Sequence, residues 1–194
     1  MSEFHDIKLP PPSESSVFEN LCLALWRRLL GDPHTQLNGR RGQNQDGVDI
    51  FGRRAKTSIW TGIQCKVRNQ GQLTKADIDE DVEKAKKFNP RLSELVFATT
   101  APRDVRIQEY ARCLCENTGA DGEFIVVVQS WDDIKQELLC DANVDLIKRY
   151  YSNYFFNFQQ MGIAISKLLN IHVGIAGEPE SAYEILLGKT PDRN

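Results

Sequence analysis

Two short segments of the chain contain residue types that can act together on a phosphate. The first runs from Asp46 to Ile50 (DGVDI), and the second, which begins fourteen residues after Asp49, runs from Ile63 to Lys66 (IQCK). Carboxylate and amide oxygens are ligands that Mg²⁺ prefers. A lysine beside them can orient a water molecule and neutralise charge on a phosphate. The residue types and their spacing therefore predict one divalent metal and an activated water beside a phosphodiester.

The two segments have the composition of neighbouring strands. Residues 48–52 and 58–67 are rich in strand-forming side chains and are joined by a basic turn. Side chains of a strand repeat every second residue, so Gln64 and Lys66 share one face. Pairing of the two strands would bring Asp49 to that pair of side chains.

The expected metal ligands are oxygen atoms of four residues. Asp49 offers a carboxylate, Gln64 an amide oxygen and Cys65 its backbone carbonyl. Glutamine brings no charge, so a further acid would strengthen the site, and Glu19 on the helix before the sheet is the candidate. Lys66 would orient or help deprotonate the attacking water. The expected cofactor is Mg²⁺, and Mn²⁺ can take its place.

Basic residues cluster around these segments, although the whole chain has a formal charge of -3. Residues 40–68 carry +5, so the remainder carries -8. A positive surface around metal-binding acids would attract DNA, with Arg40, Arg41 and Arg68 as contacts; the alternative is a solvated, arginine-rich strand edge. Asp46 either contacts a second metal or caps the turn into the strand, and the turn is favoured.

The hydrophobic pattern predicts the elements that position these residues. A layered α/β sheet, partly parallel at its far side, is favoured because strands and helices alternate with short loops. The acids of the helix after residue 74 are expected mostly to face water, while Ile78, Val82 and Ala85 face inward. The predicted elements are a helix over 13–30, strands over 35–37, 48–52 and 58–67, a helix over 74–88, a strand over 95–100, a helix over 103–115, a strand over 124–129 and a helix over 131–139.

Composition divides the chain into four segments. Residues 1–12 end in three prolines and are interpreted as a flexible leader, residues 13–140 as the globular domain, 141–172 as an aromatic-rich helical extension, and 173–194 as a linker or tail. The aromatic side chains either form a docking or dimer surface or cover one side of the core, and the second is favoured. A signal peptide and a membrane-spanning apolar run are both missing, so we expect a soluble, cytoplasmic protein without membrane contact.

The motifs and their order resemble the PD-(D/E)XK nucleases of the restriction endonuclease-like superfamily, specifically the Mrr-like group in which the last motif is QxK. The resemblance covers roughly residues 17–139 and includes Phe18-Glu19 on the first helix, the DGVDI and IQCK segments and the order of elements. Val48 stands where the superfamily's name places a proline. The resemblance implies a three-layer α/β/α sandwich with a mixed central sheet, here followed by a C-terminal helical extension.

The same resemblance implies a magnesium-dependent DNA endonuclease. Asp49 and Lys66 would be catalytic, Gln64 would replace the usual acid, Glu19 would complete the site, and hydrolysis would leave a 5′-phosphate and a 3′-hydroxyl. Similar domains often belong to bacterial defence or restriction systems, so we expect an effector that forms a homo-oligomer or assembles with a sensor domain or subunit. The alternatives are a catalytically inactive nucleic-acid-binding or assembly module with the same fold, and a dimeric junction resolvase.

Overall fold

The computed structural model describes residues 9–40, 42–43, 45–116 and 124–152. The elements follow the predicted order, and most of their ends differ from the prediction by one to three residues. The helices and strands are α1 Ser15–Leu30, β1 Gln36–Leu37, β2 Ile50–Arg53, β3 Trp60–Lys66, α2 Lys75–Ala85, β4 Glu94–Thr99, α3 Val105–Glu116, β5 Ile125–Gln129, α4 Trp131–Leu138 and, after a 3₁₀ turn at Asp141–Asn143, α5 Val144–Tyr150.

The strands form one five-stranded mixed sheet in the order β1-β2-β3-β4-β5. The pairs β1–β2 and β2–β3 are antiparallel, whereas β3–β4 and β4–β5 are parallel. The predicted α/β class with a partly parallel sheet is therefore confirmed. The parallel pairs are connected through α2 and α3, as parallel strands require a crossover.

Helices pack on both the antiparallel and the parallel strands of the sheet. Side chains of α2 and α3, among them Ile78 and Ile107, share a buried hydrophobic cluster with Leu95 and Phe97 of β4. Helix α1 packs on β2 and β3 and ends at Gly31, whose φ of 64° gives the left-handed C-cap that favours glycine. The pattern of apolar residues in each helix thus fixes which side meets the sheet.

The N-terminal part of the described chain differs from the prediction in two ways. Helix α1 begins at Ser15 and not at residue 13, and its N-cap Glu14 makes no side-chain capping hydrogen bond. Leu9 is buried, and its carbonyl accepts a hydrogen bond from the Trp131 indole N–H at 2.9 Å. Residue 9 therefore packs against α4, although it falls in the segment expected to be a flexible leader.

Two compact units divide the chain at residue 150. The first contains every element given above, including α5 at the start of the predicted 141–172 extension. In the second unit the structure describes only Tyr151 and Ser152, so the rest of the extension and the predicted tail at 173–194 lie outside the described residues. No helix of the described part is long and apolar enough to cross a membrane.

Candidate active site

The Asp49 carboxylate lies beside Cys65, the β3 residue between Gln64 and Lys66. Its Oδ2 accepts a hydrogen bond from the Cys65 backbone N–H at 2.7 Å, and the Asp49 N–H donates to the Ile63 carbonyl at 2.9 Å. The side chain is buried, with 7% of its surface exposed. The structure therefore brings together the three side chains that the sequence singled out.

Gln64 presents a polar atom that the described protein leaves unsatisfied. Its side chain projects from β3 on the same face as Lys66, opposite Phe97 of the neighbouring parallel strand. The Oε1 atom is buried and has no hydrogen-bond partner among the described residues. A buried carbonyl oxygen without a donor is destabilising. It is also the kind of oxygen that a hard cation takes as a ligand.

Lys66 forms an ion pair with Asp81 of α2. Only 4% of the Asp81 side chain and 21% of the Lys66 side chain are exposed, and Lys84 reaches the other Asp81 oxygen at 3.7 Å. The expectation that Asp81 faces water was wrong. Its position three residues after Ile78 and four before Ala85 places it on the buried stripe of α2, and that spacing is the signal that could have identified it.

Two threonines hold the backbone at the end of β3. The Lys66 carbonyl accepts hydrogen bonds from the Thr99 hydroxyl at 2.9 Å and from the Thr100 N–H at 3.1 Å. The Arg68 N–H donates to the Thr100 hydroxyl oxygen at 2.7 Å. Since both threonines are buried, they fix the backbone from which Lys66 extends.

The charges around Asp49 come from three elements. Burial raises the pKa of the Asp49 carboxyl from 3.8 to about 6, the Cys65 N–H opposes this shift, and the negative charge of Glu19 on α1 adds to it. The charge of Lys66 lowers the pKa and that of Asp81 raises it. Glu19, which is half-buried, is therefore near enough to act on Asp49 electrostatically.

The side chain and the backbone of Cys65 contact different parts of the protein. Interaction with the Cys22 thiol of α1, together with burial, raises the pKa of the Cys65 thiol. Its backbone N–H binds Asp49, and its carbonyl is the predicted metal ligand. The side chain itself points to α1 because Gln64 and Lys66 occupy the opposite face.

Of the three predicted DNA contacts, the structure describes Arg40 and Arg68, and these two differ in their surroundings. Arg40 is exposed in the loop before Asp49, while Arg41 lies outside the described residues. Arg68 pairs with Asp77 at 2.7 Å; burial acts to raise the pKa of Asp77, but hydrogen bonds from Arg68 and Thr74 outweigh it and lower the pKa to about 2. The Arg68 charge is therefore already balanced within the protein.

The remaining basic residues of this part of the sequence lie at the other end of β3. Arg53, Arg54 and Lys56 belong to the end of β2 and the turn before Trp60, about 20 Å along the strand from Lys66. Arg54 pairs with Glu94 at 3.2 Å. Arg53, Arg54 and Lys56 therefore do not contribute to a positive surface around the acids, because the β2–β3 hairpin carries them to the other end of the sheet. Asp46 adopts a left-handed turn conformation with a φ of 48°.

The predicted metal ligands are two carboxylates, one amide oxygen and one backbone carbonyl. Among the described residues no group of three His, Cys, Asp or Glu side chains is placed to hold a metal. The predicted set has only two acids, Asp49 and Glu19, and completes its coordination with the Gln64 oxygen and the Cys65 carbonyl. All of these are oxygen donors, as Mg²⁺ requires. The unsatisfied Gln64 oxygen and the excess of carboxylates near Lys66 fit a divalent cation.

Comparisons with known proteins add no relative. No protein-family model matches the chain, and comparisons with curated proteins and with solved structures give no match either. The functional argument therefore depends on the residues of the site and their geometry.

Proposed function

We propose that this chain is a magnesium-dependent DNA endonuclease that hydrolyses phosphodiester bonds. The observation that carries the proposal is the contact between the Asp49 carboxylate and the Cys65 N–H, which places a buried acid at the strand residue between Lys66 and Gln64, whose amide oxygen is unsatisfied. An acid, an amide and a lysine at one end of a sheet can bind a divalent cation and stabilise a charged phosphate.

The proposed architecture is the three-layer α/β/α sandwich of restriction endonuclease-like proteins. Its support is the order of elements and the mixed sheet. The contacts of α1 with one face, through Cys22 and Cys65, and of α2 with the other, through Asp81 and Lys66, also agree with it. This part of the proposal extends the α/β class to a particular arrangement of layers.

Each residue of the site has a distinct role in the proposed reaction. Asp49, Gln64, Glu19 and the Cys65 carbonyl would hold Mg²⁺, which when bound polarises the scissile phosphate and lowers the pKa of a coordinated water. Lys66 orients the attacking water and places its positive charge near the phosphate oxygens. The buried surroundings of Asp49 keep bulk water away from the ligands.

A cleavage assay with several DNA forms tests the proposal. Purified protein is incubated with supercoiled plasmid and with linear, nicked, branched and single-stranded DNA in Mg²⁺, Mn²⁺ or EDTA. We expect metal-dependent cleavage that is lost in Asp49→Ala and Lys66→Ala and kept in Lys87→Ala, which changes an exposed lysine in the turn after α2. Strong preference for four-way junctions would instead indicate a resolvase.

A second candidate function is DNA binding without catalysis. The replacement of an acid by Gln64 favours this alternative, because it removes one charged metal ligand. It predicts DNA affinity that is unchanged in Asp49→Ala, with no cleavage under any metal condition.

The proposal includes a role as effector in a bacterial defence or restriction system, in a homo-oligomer or with a sensor domain or subunit. Such an effector should be inactive until it assembles. Cleavage that rises steeply with protein concentration, followed together with sedimentation velocity, would support self-assembly, whereas equal specific activity at all concentrations would oppose it.

A further inference from the structure

Asp81 lies where α2 crosses the end of β3, beside the two segments that form the proposed site. Its carboxylate is paired with Lys66, and its backbone carbonyl faces the loop that carries Asp49. In that loop Gly47 has a φ of 67°, and a Cβ atom added there would lie 2.6 Å from the Asp81 carbonyl oxygen. Asp81 is thus in contact with both segments that converge at the site.

The ion pairs of α2 with the end of β3 and the residues after it follow matched spacings. Asp77 pairs with Arg68, two residues beyond β3, and Asp81, four residues later on the helix, pairs with Lys66, the last residue of β3. Four helical residues rise about 6 Å, and two residues of extended chain span about 6.6 Å. The helix can therefore form both pairs at once.

The Asp81–Lys66 ion pair is more deeply buried than the Asp77–Arg68 ion pair. Asp77 is 27% exposed, whereas Asp81 is 4% exposed. The Asp81 Oδ2 receives no hydrogen bond from the described residues, so the contact with Lys66 is an ion pair outside hydrogen-bond geometry. A carboxylate as buried as this needs an opposite charge nearby. The flexible Lys66 side chain is consequently held in one place beside Asp49 and Gln64.

We propose that Asp81 is the positioning residue for Lys66, because its carboxylate holds the lysine ammonium where the attacking water and the phosphate would meet. This inference depends on the proposed nuclease function. Asp81 itself touches neither the metal ligands nor the substrate in this proposal, and it acts only through Lys66. Its effect on the reaction should therefore appear in the rate of the chemical step and not in the affinity for DNA.

Substitution of Asp81 by asparagine tests the role in catalysis. Asp81→Asn keeps the size of the side chain and removes its charge, so kcat for plasmid cleavage should fall about 10- to 100-fold, as for other residues that orient a catalytic group. The KM for DNA should stay within about twofold of wild type if the effect is on positioning. The matched control is Glu83→Gln, the same change on an exposed acid of α2 that pairs with Lys86. An unchanged kcat in Asp81→Asn would overturn the proposal.

A second measurement does not depend on cleavage. Acetylation of Lys66 by an amine-reactive ester, followed by mass spectrometry of its peptide, should be several-fold faster in Asp81→Asn than in wild type, and unchanged in Glu83→Gln. Equal labelling of Lys66 in wild type and Asp81→Asn would show that Asp81 does not hold the lysine. If wild type cleaves no DNA, the nuclease proposal fails, while the labelling ratio still decides whether Asp81 holds Lys66.

A conservative variant covers the case in which Asp81→Asn does not fold. Asp81→Glu keeps the charge and moves the carboxylate by one methylene, so labelling of Lys66 should remain slow while kcat falls. Circular dichroism establishes that each variant is folded. Wild-type kcat in a folded Asp81→Glu protein would contradict a positioning role.

Discussion

Burial of Asp49 couples the proposed function to the stability of the protein. Its carboxyl group is 7% exposed and its pKa is raised to about 6, chiefly because burial disfavours the charged form. A folded state that binds a proton more tightly than the unfolded state loses stability as the pH rises through the interval between the two pKa values. The ionised carboxylate, which is the form that could bind a metal, therefore lowers the stability of the folded protein when no cation is bound.

Asp49→Asn should raise the free energy of unfolding at about pH 8 by up to about 3 kcal/mol, because each pKa unit corresponds to about 1.4 kcal/mol. Near pH 4 the difference from wild type should be small, since 3.8 is the ordinary carboxyl pKa and the folded-state value is about 6. Asparagine can still accept the hydrogen bond from the Cys65 N–H. Urea unfolding in EDTA across this pH range measures the difference. An equal effect at both ends would contradict the raised pKa.

At the scale of elements, the loop before Asp49 and helix α2 must approach closely. Gly47 permits this contact because it combines a φ of 67° with the absence of a side chain beside the Asp81 carbonyl. The glycine of the DGVDI segment is thus explained by packing against α2. Because Asp81 also contacts Lys66, the packing of Gly47 against Asp81 links the position of Asp49 to that of Lys66.

Gly47→Ala should destabilise the protein by about 2–4 kcal/mol, since the left-handed conformation costs about 1 kcal/mol for alanine and the clash with backbone adds about 1–3 kcal/mol. Gly42→Ala is the matched control, because Gly42 has a φ of 87° but open space around its Cα. It should cost only the conformational part. Urea unfolding of both variants gives the comparison, and equal losses would show that the contact with Asp81 is unimportant.

Elements with strong periodicity could be predicted from the sequence, whereas contacts between elements could not. The strand-forming side chains of residues 58–67 indicated β3. The helix predicted from residue 74 is α2, and Thr74 is its N-cap and forms a capping box with Asp77. Asp81 was misassigned because its neighbours on α2 are acidic and exposed, and a single buried charge does not alter that pattern. Its burial depends on Lys66, which comes from another element.

At the scale of the whole molecule, three basic residues that are near the proposed site in sequence lie away from it in the structure. The chain places Arg53, Arg54 and Lys56 beyond the start of β3, and nearness in sequence concealed this because an antiparallel hairpin carries its turn away from its open end. At the site, Lys66 and Arg68 are paired with acids of α2. In the proposed nuclease, attraction of DNA to this end would come from exposed groups such as Arg40 and from a bound divalent cation.

DNA affinity should therefore respond differently to arginines at the two ends of the sheet. Arg40 lies in the loop at the Asp49 end, where the Asn38 N–H donates to the Asp49 carbonyl at 2.8 Å. Arg40→Gln should weaken DNA binding and reduce the slope of log K against log salt by about 1, the effect of losing one phosphate contact. Arg53→Gln, the same change at the far end, should leave both quantities unchanged. Fluorescence anisotropy with Mg²⁺ at several salt concentrations measures them. A slope reduced only in Arg53→Gln would place DNA at the opposite end of the sheet from Asp49 and would remove the basis for a nuclease site there.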